Sequence, residues 1–176
     1  MRLFIAIEFD QPTKTNIANV QHKLETFGRG RFTHRDNLHL TLAFLGEVPP
    51  AKVAAIRRAM DRTAVEPMTL VFDHTGRFRR EGGDIWWIGL ARNQKLLDLQ
   101  QELTNHLLKE GFVLEKRPFT PHITLARQVR LNAQPAQEDL LLEPFEAQVN
   151  GITLMLSERI NGKLTYTPQY RKKRAD

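Results

Sequence analysis

Apolar positions along the chain fall into two periods. Compact apolar runs rich in β-branched and aromatic residues predict strands at Leu3 to Phe9, Leu38 to Leu45, Met68 to Phe72, Ile85 to Leu90, His122 to Arg127, Val149 to Leu156 and Leu164 to Tyr170. Between them lie stripes of helical spacing. Ile17, Val20, Leu24 and Phe27 follow Asp10, a candidate N-cap, and Pro12, which suits a first turn, and Gly28 with Gly30 should end that helix. Val53, Ile56 and Met60 follow Pro49-Pro50 and predict a helix from about Ala51 to Ala64. Leu96, Leu99, Leu103 and Leu107 mark the longest helix, closed by Gly111. The basic segment Arg29 to Arg35 reads as a short strand and a loop, and Arg77 to Gly83 as a charged loop. Asn132 to Pro144 reads as mostly irregular, with one helical turn near Asp139 to Leu142. Asn161-Gly162 predicts a type I′ hairpin turn.

The pattern occurs twice. His39-Leu40-Thr41-Leu42-Ala43 returns 83 positions later as His122-Ile123-Thr124-Leu125-Ala126. The same offset carries Leu3-Phe4-Ile5 onto Trp86-Trp87-Ile88, Val20 onto Leu103, Leu24 onto Leu107 and Gly28 onto Gly111. Further on, Glu66-Pro67-Met68 matches Glu143-Pro144-Phe145 at an offset of 77. Two copies of a strand–helix–strand–strand unit, roughly residues 1–80 and 84–160, explain this, with a C-terminal strand added. Neither copy is long enough to bury a good core alone. The expectation is one domain over residues 1–176 of the α+β class. It should be bilobal and pseudo-two-fold symmetric, with two antiparallel-sheet lobes and outer helices around a central cleft.

On a strand, residues i and i+2 share a face. His39 and Thr41 should therefore project together, about 6.6 Å apart along the strand, and His122 with Thr124 likewise. A two-fold arrangement would set one imidazole and one hydroxyl on each side of a shared pocket. In-line displacement at phosphorus needs a base on the attacking side, an acid on the leaving side and donors to the non-bridging oxygens. An imidazole titrates near pH 6.5, so one copy can accept a proton while the other donates. The competing readings are weaker. A metal site would want a third histidine or a carboxylate, and threonine is a poor ligand. A threonine nucleophile would need a base beside it rather than in line along the strand. Satisfied core histidines on strands with ordinary threonines would account for one motif, not for two at a constant offset.

Charge and composition narrow the setting. The formal net charge of +6 favours an anionic partner, RNA or DNA being the commonest, although a solvated basic surface would give the same count. The chain has no cysteine, which excludes disulfides, thiolate metal sites and a cysteine nucleophile and fits a reducing compartment. No run approaches the roughly 20 apolar residues that cross a bilayer, and the opening apolar stretch is too short for a signal-peptide core. The expectation is a soluble, cytoplasmic, monomeric protein without a protein partner.

The paired His-x-Thr-hydrophobic motifs, half a chain apart in a basic chain of this size, resemble the two-histidine (2H) phosphoesterase superfamily. Closer still are the flanks Asn37 to Gly46 and Arg117 to Leu125, the opening Arg2 to Ile7 and the late Tyr166-Thr167-Pro168. They resemble its bacterial RNA 2′,3′-cyclic phosphodiesterase (2′-5′ RNA ligase) branch over nearly the whole chain. The resemblance implies hydrolysis of RNA 2′,3′-cyclic phosphate ends to 2′-phosphates, with no metal or other cofactor. It implies His122 as base, His39 as acid, and Thr41 and Thr124 as holders of phosphate oxygens. Ligation is the same chemistry with a 5′-hydroxyl in place of water. Phe44 and Arg127 occupy equivalent positions five residues past each histidine. Phe44 suits stacking on a base and Arg127 suits a phosphate, while Arg130 would add charge at the cleft rim. An odd spacing on a regular strand points to the opposite face, so these roles need a bulge or a strand end before that position. A core Phe44 and a surface Arg127 are the alternative. Tyr166 reads as packing, one of Trp86 and Trp87 as core, and His22, His34, His74 and His106 as structural. Two other functions share the motifs: a binding module that holds RNA ends without turnover, and a phosphodiesterase for a different small cyclic phosphate.

Overall fold

Every apolar run expected to be a strand is one in the computed structural model, which describes residues 1–176. The order is β1 (Arg2–Ile7), α1 (Gln11–Glu25), β2 (Gly28–Phe32), β3 (Leu40–Glu47), α2 (Val53–Arg62), β4 (Thr69–Phe78), β5 (Asp84–Leu90), α3 (Gln94–Lys109), β6 (His122–Leu131), α4 (Gln137–Leu140), β7 (Phe145–Gln148), β8 (Gly151–Ile160) and β9 (Lys163–Lys173). Asp10 caps α1 by accepting from the Thr13 amide at 3.0 Å. Asn161 and Gly162 both take positive φ, 51° and 77°, as a type I′ turn requires.

Several boundaries differ from expectation, each for a local reason. Helix α1 ends at Glu25, and Gly28 and Gly30 belong to strand β2 rather than to a helix stop. A Cβ at Gly28 would meet the Arg130 carbonyl oxygen at 2.2 Å, so the glycine serves close strand pairing. Strand β1 stops at Ile7, short of Phe9, and β4 runs on to Phe78 through part of the expected charged loop. The expected strand Val149 to Leu156 is β8, which starts at Gly151 and runs on to Ile160; an unexpected short strand, β7, precedes it across Val149-Asn150. His39 stands just before β3, and His122 opens β6.

The strands form two antiparallel sheets, β3-β1-β8-β9 and β2-β6-β5-β4-β7. Their cores, β3-β1-β8 and β6-β5-β4, have matching strand order, with β1 and β3 answering to β5 and β6 at the 83-residue offset. The copies are interlaced. Strand β4 of the first half pairs with β5 in the second half's sheet, and β8 of the second half pairs with β1 in the first half's sheet. The counterpart of β4 is therefore β8. This corrects the equivalence at offset 77, because the strand after Glu143-Pro144 is β7, which pairs with β4 itself. The helices cross over too: α1 packs on β2 and β6, while α3 packs on β3 and against α2. A single cluster of buried apolar side chains draws on both sheets and on α1, α2 and α3. No helix is long and apolar enough to cross a membrane.

Candidate active site

The two motif strands carry the same irregularity. Against β1, Ala6 faces Thr41, Ile5 faces Ala43 and Phe4 faces Phe44, so Leu42 is an extra residue. Against β5, Trp87 faces Thr124 and Trp86 faces Ala126, so Leu125 is the extra residue. Leu42 and Leu125 are 83 positions apart, and both side chains are buried. A bulge of this kind resets the alternation of a strand. Partners across a ladder share a face, so Thr41 and Phe44 both lie on the side of Ala6 and Phe4. Arg127, the next residue after Ala126, likewise lies on the side of Trp87 and Thr124. The bulges supply the correction that the odd spacing from histidine to Phe44 and Arg127 demanded. Phe44 is not core: the residue is 57% exposed.

Each bulge carbonyl is held from the opposite half. Gln21 of α1, only 7% exposed, donates its amide to the Leu125 carbonyl at 2.9 Å and to the Thr33 carbonyl at 3.0 Å. Gln100 of α3 donates to the Leu42 carbonyl at 3.3 Å. A buried carbonyl outside the ladder needs such a partner, and here the partner also fixes where the motif strand bends.

The imidazoles are oriented alike. His39 Nδ1 lies 2.7 Å from the Asn37 carbonyl oxygen, and His122 Nδ1 lies 2.7 Å from the Thr120 carbonyl oxygen. A carbonyl only accepts, so Nδ1 carries the proton and Nε2 is left for chemistry in the neutral ring. At His39 the Thr41 hydroxyl donates to Nε2 at 2.8 Å. His122 has no such bond to Thr124, and its Nε2 is free to take a proton from another molecule.

An aromatic lining surrounds each ring. His39 meets Phe4 at 4.9 Å between centroids and Tyr166 edge-on at 5.1 Å. His122 meets Phe78 edge-on at 5.3 Å and Trp87 at 6.0 Å. Of the adjacent tryptophans, Trp86 is the core residue and Trp87 the one on the cleft side. A Cβ at Gly76 would come within 2.4 Å of the Trp87 ring, so that glycine leaves the space Trp87 occupies. The sequence marks Tyr166 as packing, and what it packs on is His39; it does not single out Phe78. Both sit on strands that arrive without a motif of their own. The Phe4–Trp87 correspondence was visible in the repeat offset.

Burial pushes both histidines below their ordinary pKa by disfavouring the cation; the charges of His122 and Arg127 add to this at His39, and that of Arg127 adds at His122. The carbonyl contacts of Asn37 and Thr120 pull the other way and are overcome. Tyr166 is pushed up by burial, against the opposing pull of Arg127 and Arg2. Arg127 thus acts on both imidazoles and on Tyr166. His39, Thr41 and Phe44 come from one sheet, and His122, Thr124, Arg127 and Arg130 from the other. Arg130 is exposed, opposite Arg29 of β2. Of the other histidines, His106 bonds Thr63, His34 lies beside Asp36, and His74 lies beside Asp73 and edge-on to Trp87. No group of three or more His, Cys, Asp and Glu side chains is disposed to hold a metal ion.

Known proteins are similar to this chain in sequence and in fold. The chain is 32% identical to the RNA 2′,3′-cyclic phosphodiesterase of Escherichia coli over 172 residues, 95% of this chain and 93% of that one. It is 34% identical to the Geobacillus stearothermophilus protein of the same name over 142 residues, 79% of this chain but only 45% of that longer one. It superimposes on a crystal structure of E. coli LigT complexed with 3′-AMP with a TM-score of 0.83 at 30% identity, covering 99% of this chain and 98% of that one. A family model matches residues 10–161, which take in both histidine motifs and both bulges, and the chain belongs to the 2′-5′ RNA ligase superfamily.

Proposed function

We propose that the protein hydrolyses 2′,3′-cyclic phosphate ends of RNA to 2′-phosphates by acid–base catalysis between His122 and His39. The observation that carries this is the pair of imidazoles pinned through Nδ1 at 2.7 Å to a backbone carbonyl two residues upstream, one from each sheet. His122 Nε2, the unpartnered one, takes a proton from water as the water oxygen bonds to phosphorus. The P–O3′ bond breaks in line, and protonated His39 gives its Nε2 proton to the leaving 3′ oxygen. A protonated His39 also turns the Thr41 hydroxyl outward, because Nε2–H then donates to Oγ1 and the hydroxyl proton is free for a phosphate oxygen. Thr124 and Arg127 serve the oxygens on the other side, Phe44 offers its exposed ring to a base, and Arg130 adds charge at the rim. With a 5′-hydroxyl in place of water, the same displacement gives a 2′-5′ linkage. Both histidines come from one chain, so the monomer is the working unit. A basic, cysteine-free chain suits the cytoplasm.

The relatives' names agree with this substrate. The test is incubation with a nucleoside 2′,3′-cyclic phosphate in excess chelator, with the product read by phosphorus NMR. Undiminished turnover to the 2′-phosphate is expected. Loss of turnover to the chelator would assign the chemistry to a metal, and a 3′-phosphate product would reverse the leaving group. Absence of turnover would favour a module that only holds RNA ends.

The pH dependence follows from the lowered histidines. Catalysis needs one ring neutral and one charged, so kcat/KM should be bell-shaped. That profile reports the free protein, where both rings titrate below the usual value near 6.5. Its maximum should therefore lie on the acid side of pH 6.5. A bound phosphate anion favours the imidazolium, so the kcat maximum should move to higher pH. A kcat/KM maximum above pH 7 would contradict the electrostatics described here.

A further inference from the structure

Strand β2, the edge of the five-stranded sheet, reads Gly28-Arg29-Gly30-Arg31-Phe32. Arg31 lies directly opposite Arg127 of β6, and Arg29 directly opposite Arg130. Arg29 and Arg31 are two residues apart and share a face; their partners share it with them. Between the pairs β6 has one residue more than β2, at Gln128, whose φ is 53°. Without that second bulge Arg127 and Arg130 would point to opposite sides. The common face is the cleft side, since Ala126 beside Arg127 is buried in the core and Arg127 acts on both catalytic imidazoles.

All four arginines are exposed, and none forms an ion pair with a carboxylate. Like charges directly across a ladder oppose sheet formation, and two such pairs in succession are not what packing would choose. The pairs follow one another along the strand by about 6.6 Å, comparable with the step between neighbouring phosphates of a single strand. A ligand with one phosphate cannot use both pairs.

We propose that Arg29 and Arg31 extend the site into a track for the backbone phosphates of the RNA strand that carries the cyclic end. The cyclic phosphate terminates the strand at its 3′ side, so the remaining phosphates run in the 5′ direction from the histidines along β2. The track makes an oligoribonucleotide end, rather than a free cyclic nucleotide, the preferred substrate. This rests on the proposed reaction for the identity of the terminal group, but the track can be tested without turnover.

The test compares Arg29→Ala/Arg31→Ala with the unaltered protein on two substrates, a nucleoside 2′,3′-cyclic phosphate and a tetraribonucleotide with the same end. For the tetranucleotide the double variant should raise KM about tenfold, leave kcat unchanged and flatten the slope of log KM against log salt by about 1.4, the loss of two single-strand phosphate contacts. Kinetics on the mononucleotide should change far less, since of the two substituted residues only Arg31, opposite Arg127, lies near its single phosphate. The unfolding temperature should not fall, because like-charge repulsion is relieved. Anisotropy of a labelled tetranucleotide ending in a 2′-phosphate should show the same tenfold weakening, which reads the track even if neither substrate is turned over. The proposal is overturned if the unaltered protein shows no preference for the longer substrate, if both substrates suffer equally, or if labelled RNA binds the variant as well as before. A protein that turns over neither substrate yet shows the binding loss would overturn the reaction and leave the track standing.

Discussion

His122→Ala and His39→Ala should each lower kcat on a cyclic phosphodiester by about 10²–10⁴-fold, the usual range for a positioned acid or base. KM should change little, since the phosphate is also held by hydroxyls and Arg127. The double variant should be scarcely worse than either single one, because the two rings act as a unit. The pH profiles assign the roles. A base must be neutral, so it governs the acid limb of the bell; an acid must be charged, so it governs the alkaline limb. His122→Ala should therefore keep only the alkaline limb, and His39→Ala only the acid limb. The reverse pattern would exchange the two assignments. His39 packs against Phe4 and Tyr166, so His39→Gln, which keeps more of that volume, should be run beside the alanine variant. Residual activity near that of the intact protein in either histidine variant would refute the pair.

Phe72→Ala should cost about 3–5 kcal/mol of stability, a large part of the roughly 5–15 kcal/mol that holds a domain folded. Phe72 is fully buried on β4, stacked on Phe145 at 5.2 Å and edge-on to Phe9 at 5.8 Å. Its strand belongs to the first half of the sequence and its sheet to the second. Phe145 lies in the second half and Phe9 in the first. Truncation opens a cavity where both halves meet, so the whole molecule should weaken together. Denaturant unfolding checks this: a single transition with its midpoint shifted is expected. A loss under about 1.5 kcal/mol, against that range, or a split into two transitions, would mean that the lobes are independently stable.

The strands and helices were legible because their apolar periods are clean, and the duplication because its offset holds from Leu3 to Leu125. The four candidate catalytic residues were legible because the motif occurs twice. Interlacing of the halves was not. Strands β4 and β8 have the apolar pattern of any buried strand, and nothing in that pattern says which sheet a strand will join. Strand β7 was missed because Phe145–Gln148 is only four residues long, set apart by a break at Val149-Asn150. The placement of Phe44 and Arg127 was legible only as a conflict, an odd spacing in need of a bulge. The glutamines that hold those bulges carry no sequence signal, since Gln21 and Gln100 look like any polar residue on a helix. Tyr166 and Phe78 reach the histidines only through pairings that the fold decides.

Gln21 and Gln100 clip each motif strand to a helix from the opposite half, and β4 and β8 each join the sheet built on the other half's strands. Jaws that close on a substrate need a joint with few links across it. Here the chain passes between the two sheets four times, and one apolar core is shared by both. The gap between the two imidazoles is consequently a fixed gauge, set when the chain folds. Substrate is therefore expected to enter a gap already formed rather than one that closes around it.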